Sequence, residues 1–156
     1  MNNKNVSKID YDTFHYLTYC LMDQIDQSIV DTIDYIAAPG RGGLLPGVII
    51  SHYFNKPFIP VVWSNKDVSL QHHNEFLAEK LYTGSNILLV KNISNSGKTL
   101  IEITKDLMYS DPNPNIPAGQ LYTSTVFQRH NSKFQCAFFG KMIDDDVWIQ
   151  FPWEMC

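Results

Sequence analysis

The hydrophobic period changes several times along the chain, and those changes outline its elements. Between residues 10 and 30, Phe14, Leu17, Leu21, Ile25 and Ile29 recur at spacings of three and four. This is one face of an amphipathic helix, with Asp12 placed to cap its start. Residues 33–38, IDYIAA, are a short apolar run that stops at Pro39-Gly40, which predicts a buried strand and then a loop. Helical spacing returns from Leu44 to Phe54, with Pro46 in the first turn, where a helix tolerates it. PFIPVVW (57–63) predicts the next strand, and the polar stretch 64–85 reads as a mobile flap, a loose hairpin or helix. NILLV (86–90) is the strongest strand signal, followed by a polar turn and a helix from about Lys98 to Met108. Three prolines and a glycine make 110–119 a loop. Strands are predicted over 120–127 and 134–139, and the aromatic tail DDDVWIQFPWEMC has no clear period.

Strands alternating with helices imply an α/β fold, a mostly parallel sheet with helices on both faces. In such sheets ligands sit at the carboxyl ends of the strands. Two glycine-bearing loops, 39–43 and 94–99, each follow a strand and open a helix, so both fall on that edge.

Composition narrows the picture. A chain of 156 residues, 44% of them hydrophobic, suits one domain (1–156) with a real core. A net charge of −4 argues against a protein that coats nucleic acid, but not against binding one small phosphorylated ligand. Cys20, Cys136 and Cys156 are far apart and odd in number, giving neither a disulfide framework nor a CxxC metal pair. Reduced thiols, an N-terminus with no apolar core and the lack of a membrane-length apolar run predict a cytoplasmic protein, with no membrane partner.

The first loop, Pro39-Gly40-Arg41-Gly42-Gly43, lets backbone N–H groups approach an anion, with the following helix adding its positive end and Arg41 a phosphate-matching fork. A plain glycine turn with a solvated arginine fits the same residues. The second loop, Ser94-Asn95-Ser96-Gly97-Lys98-Thr99, gathers hydroxyls, a glycine, a lysine and a helix N-terminus into a phosphate cradle. It ends in GKT like a Walker A loop, but that motif needs a glycine at position 92, which is Asn.

ILLVKNISNSGKTL (87–100) resembles the phosphoribosyl-pyrophosphate signature of type I phosphoribosyltransferases. YIAAPGRGGLLPGVIISHYFNKPFIPV (35–61) is similar to the family's pyrophosphate loop and following helix. WIQFPWE (148–154) and VFQR (126–129) resemble the tail and the base-reading strand of the bacterial and archaeal xanthine-guanine and hypoxanthine branch. The resemblance runs from about residue 10 to the end, with its matches in order. It implies that fold with a small C-terminal hood, and transfer of 5-phosphoribosyl from phosphoribosyl pyrophosphate to a 6-oxopurine (guanine, xanthine or hypoxanthine), a step of purine salvage. It also implies magnesium and a homo-oligomer. By the same resemblance, Ser94, Ser96, Gly97, Lys98 and Thr99 would hold the 5′-phosphate, and Gly40, Arg41 and Gly42 the pyrophosphate. Arg129 would meet the exocyclic oxygen of the purine, Trp148 would stack on the base, and the Ile149 backbone would read its edge. The flap would close over the reacting centre.

Where the family carries two adjacent ribose-binding carboxylates and a third in the phosphate loop, this chain reads Lys91, Asn92 and Asn95. Lysine only donates and asparagine takes no proton, so these changes hurt catalysis more than binding. They keep open a non-catalytic protein on the same fold that binds a nucleotide or phosphoribosyl pyrophosphate as a signal. Glu102 and the run Asp144-Asp145-Asp146 offer replacement carboxylates, although such a run is more often a solvated turn. His72 and His73 read as surface residues of the flap, without a third ligand at metal spacing.

Overall fold

A computed structural model describes residues 5–64, 74–108 and 118–155. Strand β1 (Asn5–Lys8) leads into α1 (Tyr11–Met22), α2 (Gln27–Thr32), β2 (Tyr35–Pro39), α3 (Gly40–Phe54) and β3 (Phe58–Val61). Then come α4 (Glu75–Tyr82), β4 (Ile87–Ser94), α5 (Lys98–Met108), β5 (Leu121–Arg129), β6 (Phe138–Ile143) and β7 (Val147–Gln150), with a short 3-10 turn at Pro152–Glu154. Five strands form one sheet in the order β3-β2-β4-β5-β6, every pair parallel. The sheet is mostly apolar on both faces, as parallel strands buried by helices require. One hydrophobic cluster packs α1 and the tail against Leu88 and Val90; the other packs Leu77, Leu81, Leu100 and Ile103 against Leu89.

The long first helix divides. Asp10, not Asp12, caps α1, its side chain accepting from Thr13 N at 2.7 Å. Asp12 sits in the first turn. A second cap, Asp26 accepting from Ser28 N at 2.9 Å, starts α2. The two caps explain why one apolar stripe spans two helices.

Helix α3 begins at Gly40, four residues before Leu44, so the glycine loop is the helix's own first turn. Pro46 therefore stands inside the helix and cannot donate to the Gly42 carbonyl. Strand β4 runs past its apolar stretch to Ser94 because β5 continues beside it, pairing Lys91 with Thr125, Ile93 with Phe127 and Ser94 with Gln128.

The strand predicted at 134–139 starts later, at Phe138. Side chains have already claimed the backbone before it. The Phe134 carbonyl accepts from Ser94 Oγ at 2.9 Å and Gln128 Nε2 at 3.1 Å, Cys136 N donates to Gln128 Oε1, and Ala137 N to Thr123 Oγ1.

The tail forms a strand after all. β7 pairs in parallel with β1, placing Trp148 opposite Val6 and Ile149 opposite Ser7. This two-stranded sheet makes the hood, and β1 carried no periodic signal of its own.

Half of the expected flap is packed structure. Buried Asn74 bonds both polar groups of Val62, at 3.0 and 3.1 Å, and α4 buries Leu77 and Leu81 in the second cluster. Residues 65–73, with His72 and His73, lie outside the described residues.

Candidate active site

The carboxyl ends of β2 and β4 and the hood enclose a cleft of about 1060 Å³. Its lining is of two chemical kinds: polar groups from Gly40, Arg41, Gly42, Lys91, Asn92, Asn95 and Thr99, and apolar or aromatic ones from Leu45, Trp63, Trp148, Ile149, Phe151 and Trp153. A ligand with one anionic end and one flat apolar end matches this division.

The polar lining depends on two close approaches. A Cβ on Gly42 would stand 2.7 Å from the Asn92 side-chain amide, so glycine here lets the α3 turn lie against that buried side chain where it now sits. Gly97 has φ +83°, and a Cβ there would meet Phe134 N at 2.5 Å. The second loop thus rests on the 132–134 segment, which also donates Lys133 N to the Ser96 carbonyl at 3.1 Å.

The expected phosphate cradle divides. Asn95 and Thr99 line the cleft. Ser94 does not present its hydroxyl there: it is buried, sharing a hydrogen bond of 2.9 Å with Ser132 Oγ and donating to the Phe134 carbonyl. Lys98 Nζ turns along α5 to Glu102 at 3.7 Å, and neither side chain lines the cleft. Ser96 Oγ accepts from Lys98 N at 3.3 Å, and Gly97 is buried beneath the turn. What the cradle offers a phosphate is therefore mainly backbone N–H and the start of α5, plus Asn95 and Thr99.

Arg129 is repositioned as well. It lines the cleft but is only 7% exposed, and its fork already donates to carbonyls. Nη1 bonds Asp144 O at 2.7 Å and Nη2 bonds Val147 O at 2.6 Å, while Nε is buried without a partner. The guanidinium ties the hood to β5, so its first task is to hold the turn that carries Trp148. Trp148 itself is 45% exposed at the cleft and is not a core residue.

The acidic run is an exposed turn. Asp144 lies 4.0 Å from His130, and Asp145 accepts from both the backbone and the side chain of Asn131. None of the three lines this cleft, and Glu102 is occupied by Lys98.

Residues 20–154 match the phosphoribosyl transferase domain family. The chain belongs to the phosphoribosyltransferases. It is similar to the xanthine-guanine phosphoribosyltransferase of Cereibacter sphaeroides, 25% identical over 155 residues, covering 94% of this chain and 86% of that protein. The orotate phosphoribosyltransferase of Bartonella quintana is 27% identical over 88 residues, 56% of this chain and 43% of that protein. Among solved structures, the purine phosphoribosyltransferase of Pyrococcus horikoshii superposes with a TM-score of 0.71 at 16% identity, over 97% of this chain and 95% of that one. A hypothetical Neisseria gonorrhoeae protein with bound ppGpp gives 0.73 at 20% identity, over 99% and 92%. These superpositions establish the type I phosphoribosyltransferase fold.

Within this phosphoribosyltransferase the cleft is cationic although the chain is acidic. Arg41, Lys91 and Arg129 line it, against Glu154, whose Oε2 accepts from Phe151 N at 3.1 Å. Magnesium, which the family resemblance implies, finds a poor donor set. The acid positions hold Lys91, Asn92 and Asn95, and no three His, Cys, Asp or Glu side chains gather among the described residues. A cation beside neutral amides does not attract a second, divalent one.

Sequence reasoning did not find Trp63, Phe151, Trp153 or Glu154. Phe151 and Trp153 stack at 4.8 Å with an 8° interplanar angle, and Phe14 meets both rings edge-on. Spacing alone carried no sign of this; the tail's density of aromatic residues was the available hint.

Behind Lys91 lies a buried thiol. Burial pushes Cys136 up to about 12, only partly countered by Thr123 and the Lys91 charge, whereas an exposed thiol ionises near 9.0. The unfolded chain loses this proton first, so the thiol's contribution to stability is whole below pH 9.0 and drains away toward 12. Burial lowers Lys91 from 10.5, which acts in the opposite sense, stability rising as pH climbs toward 10.5. Cys136→Ala should therefore flatten the alkaline loss of stability by up to roughly 1.4 kcal/mol per pH unit, measured by urea unfolding above pH 9.0. An unchanged slope would mean that the thiol is not sealed from water.

Proposed function

We propose that the protein is a purine phosphoribosyltransferase that joins the 5-phosphoribosyl group of phosphoribosyl pyrophosphate to a 6-oxopurine. The observation that supports it is that one cleft gathers the two glycine-bearing turns, with Arg41, Asn95 and Thr99, together with Trp148 and Ile149 of the hood. The sugar phosphate would lie against the start of α5, with Asn95 and Thr99 beside it. Pyrophosphate would meet Gly40, Arg41 and Gly42, and the flat base would stack on Trp148. Arg129 holds the hood and places positive charge near the base's oxygen. Adenine, with an exocyclic donor there, would be disfavoured.

In this site the chain's own groups bind and orient; they move few protons. Asn92 can still accept from a ribose hydroxyl, but Lys91 cannot and Asn95 cannot act as a base. Breaking the anomeric bond builds positive charge on the sugar, and a neighbouring ammonium opposes it. The reading carries with it a cytoplasmic, homo-oligomeric enzyme of purine salvage.

That missing acid set favours one second reading, a non-catalytic receptor for a purine nucleotide. The fold's occurrence with bound ppGpp in the Neisseria protein agrees with it. One assay decides. Purified protein with phosphoribosyl pyrophosphate, magnesium and guanine, xanthine or hypoxanthine should form the corresponding mononucleotide. Nucleotide binding without any turnover would overturn the enzyme and leave the receptor.

A further inference from the structure

Lys91 is the unusual group in this cleft. It stands on β4, paired with Thr125, at the point where the strand passes from the apolar core to the cleft. It is half-buried and lines the cleft together with Arg41, Asn92, Asn95 and Thr99. A lysine placed so deeply normally faces a carboxylate. Here no ion pair reaches it among the described residues, where the pairs formed are Lys98–Glu102 and His130–Asp144. Glu154, the acidic residue lining the same cleft, bonds the Phe151 backbone instead. Burial lowers the ammonium's pKa, a sign that its charge lacks compensation inside the protein.

Two facts therefore coincide. Among the described residues the cleft offers no cluster of carboxylates to hold a divalent ion, and where the family resemblance places a ribose-binding acid it carries a fixed cation. An ammonium on a long stem can donate up to three hydrogen bonds and neutralise phosphate charge, which is the electrostatic part of what a bound metal would supply. Arg41, exposed on the opposite loop, adds a second fixed charge.

We propose that Lys91 takes the place of a divalent metal, so that the cleft binds phosphoribosyl pyrophosphate, or a ligand with the same diphosphate, without magnesium. This rests on the reading of the cleft as a phosphoribosyl pyrophosphate site. The diphosphate lies between Lys91 and the Gly40–Gly42 turn.

The test is calorimetry on the full-length protein, titrating phosphoribosyl pyrophosphate in magnesium and again in excess EDTA. Affinity should agree within about threefold between the two buffers, since the charge that matters is built in. Lys91→Glu should lose about tenfold to a hundredfold in EDTA, the worth of a charged hydrogen bond, and regain affinity when magnesium is added. Should that variant fold poorly, Lys91→Met should lose a similar factor without gaining any response to metal. Wild-type binding that appears only with magnesium overturns the proposal, and so does undiminished binding by Lys91→Met. A parallel titration with guanosine monophosphate in EDTA separates the two levels. Mononucleotide binding beside magnesium-dependent phosphoribosyl pyrophosphate sinks only the role of Lys91. If neither ligand binds in either buffer, the reading of the cleft fails, and this inference with it.

Discussion

Restoring the three carboxylates, Lys91→Glu, Asn92→Asp and Asn95→Asp together, is expected to raise nucleotide formation by roughly a hundredfold to ten-thousandfold, the range a positioned general base contributes. The geometry is favourable, because all three positions line one cleft. Lys91→Glu exchanges a charge that opposes the cationic sugar for one that supports it. Asn92→Asp keeps the shape of a side chain packed within 2.7 Å of where a Gly42 Cβ would be, and so should be accepted. Asn95→Asp, on the exposed turn, restores a proton acceptor to the second loop. The gain should appear in kcat rather than KM, and it should bring magnesium dependence with it. If the triple variant is no faster than the parent, the lost acids do not limit this protein, and the account of its chemistry given above is wrong.

Arg129→Met should separate ligand binding from folding. The guanidinium donates two short bonds to the carbonyls of Asp144 and Val147, each worth about 1.5–3 kcal/mol when a charge is involved. Against them stand the burial of a charge with no carboxylate partner among the described residues and an Nε without an acceptor. These opposing effects are of similar size, so the thermal midpoint should move by only a few degrees. Ligand binding has no such compensation. Once the 144–147 turn is released, Trp148 keeps its pairing through β1 but loses the tie to β5, and guanosine monophosphate should bind about tenfold to a hundredfold more weakly by calorimetry. Arg129→Lys should recover only part, because a point donor cannot span both carbonyls. Gross unfolding of Arg129→Met, or wild-type affinity, would contradict this division of roles.

Much of the architecture was legible in the chain because its signals are local. A parallel sheet flanked by helices follows from apolar runs of strand length alternating with helical periodicity, since each face must be buried. The same applies to the two loops. A strand ending in a glycine turn that opens a helix can only lie on the carboxyl edge of such a sheet, so Arg41 and Thr99 were bound to share a cleft. The degenerate acid positions were equally plain, since Lys91, Asn92 and Asn95 are identities and not conformations.

Side-chain direction was not legible, because it depends on partners far away in sequence. Ser94 looked like a phosphate ligand until Ser132 and Phe134, nearly forty residues on, claimed its hydroxyl. Arg129 looked like a base-reading fork until the carbonyls of the hood took both of its ends. The hood itself needed β1, whose four residues have no pattern and become a strand only by pairing with β7. Residue type and local period thus settled which fold forms and which chemistry is missing. Tertiary contact alone settled which donors remain available to a ligand, because a buried hydrogen-bonding group takes whichever partner the packed chain brings to it.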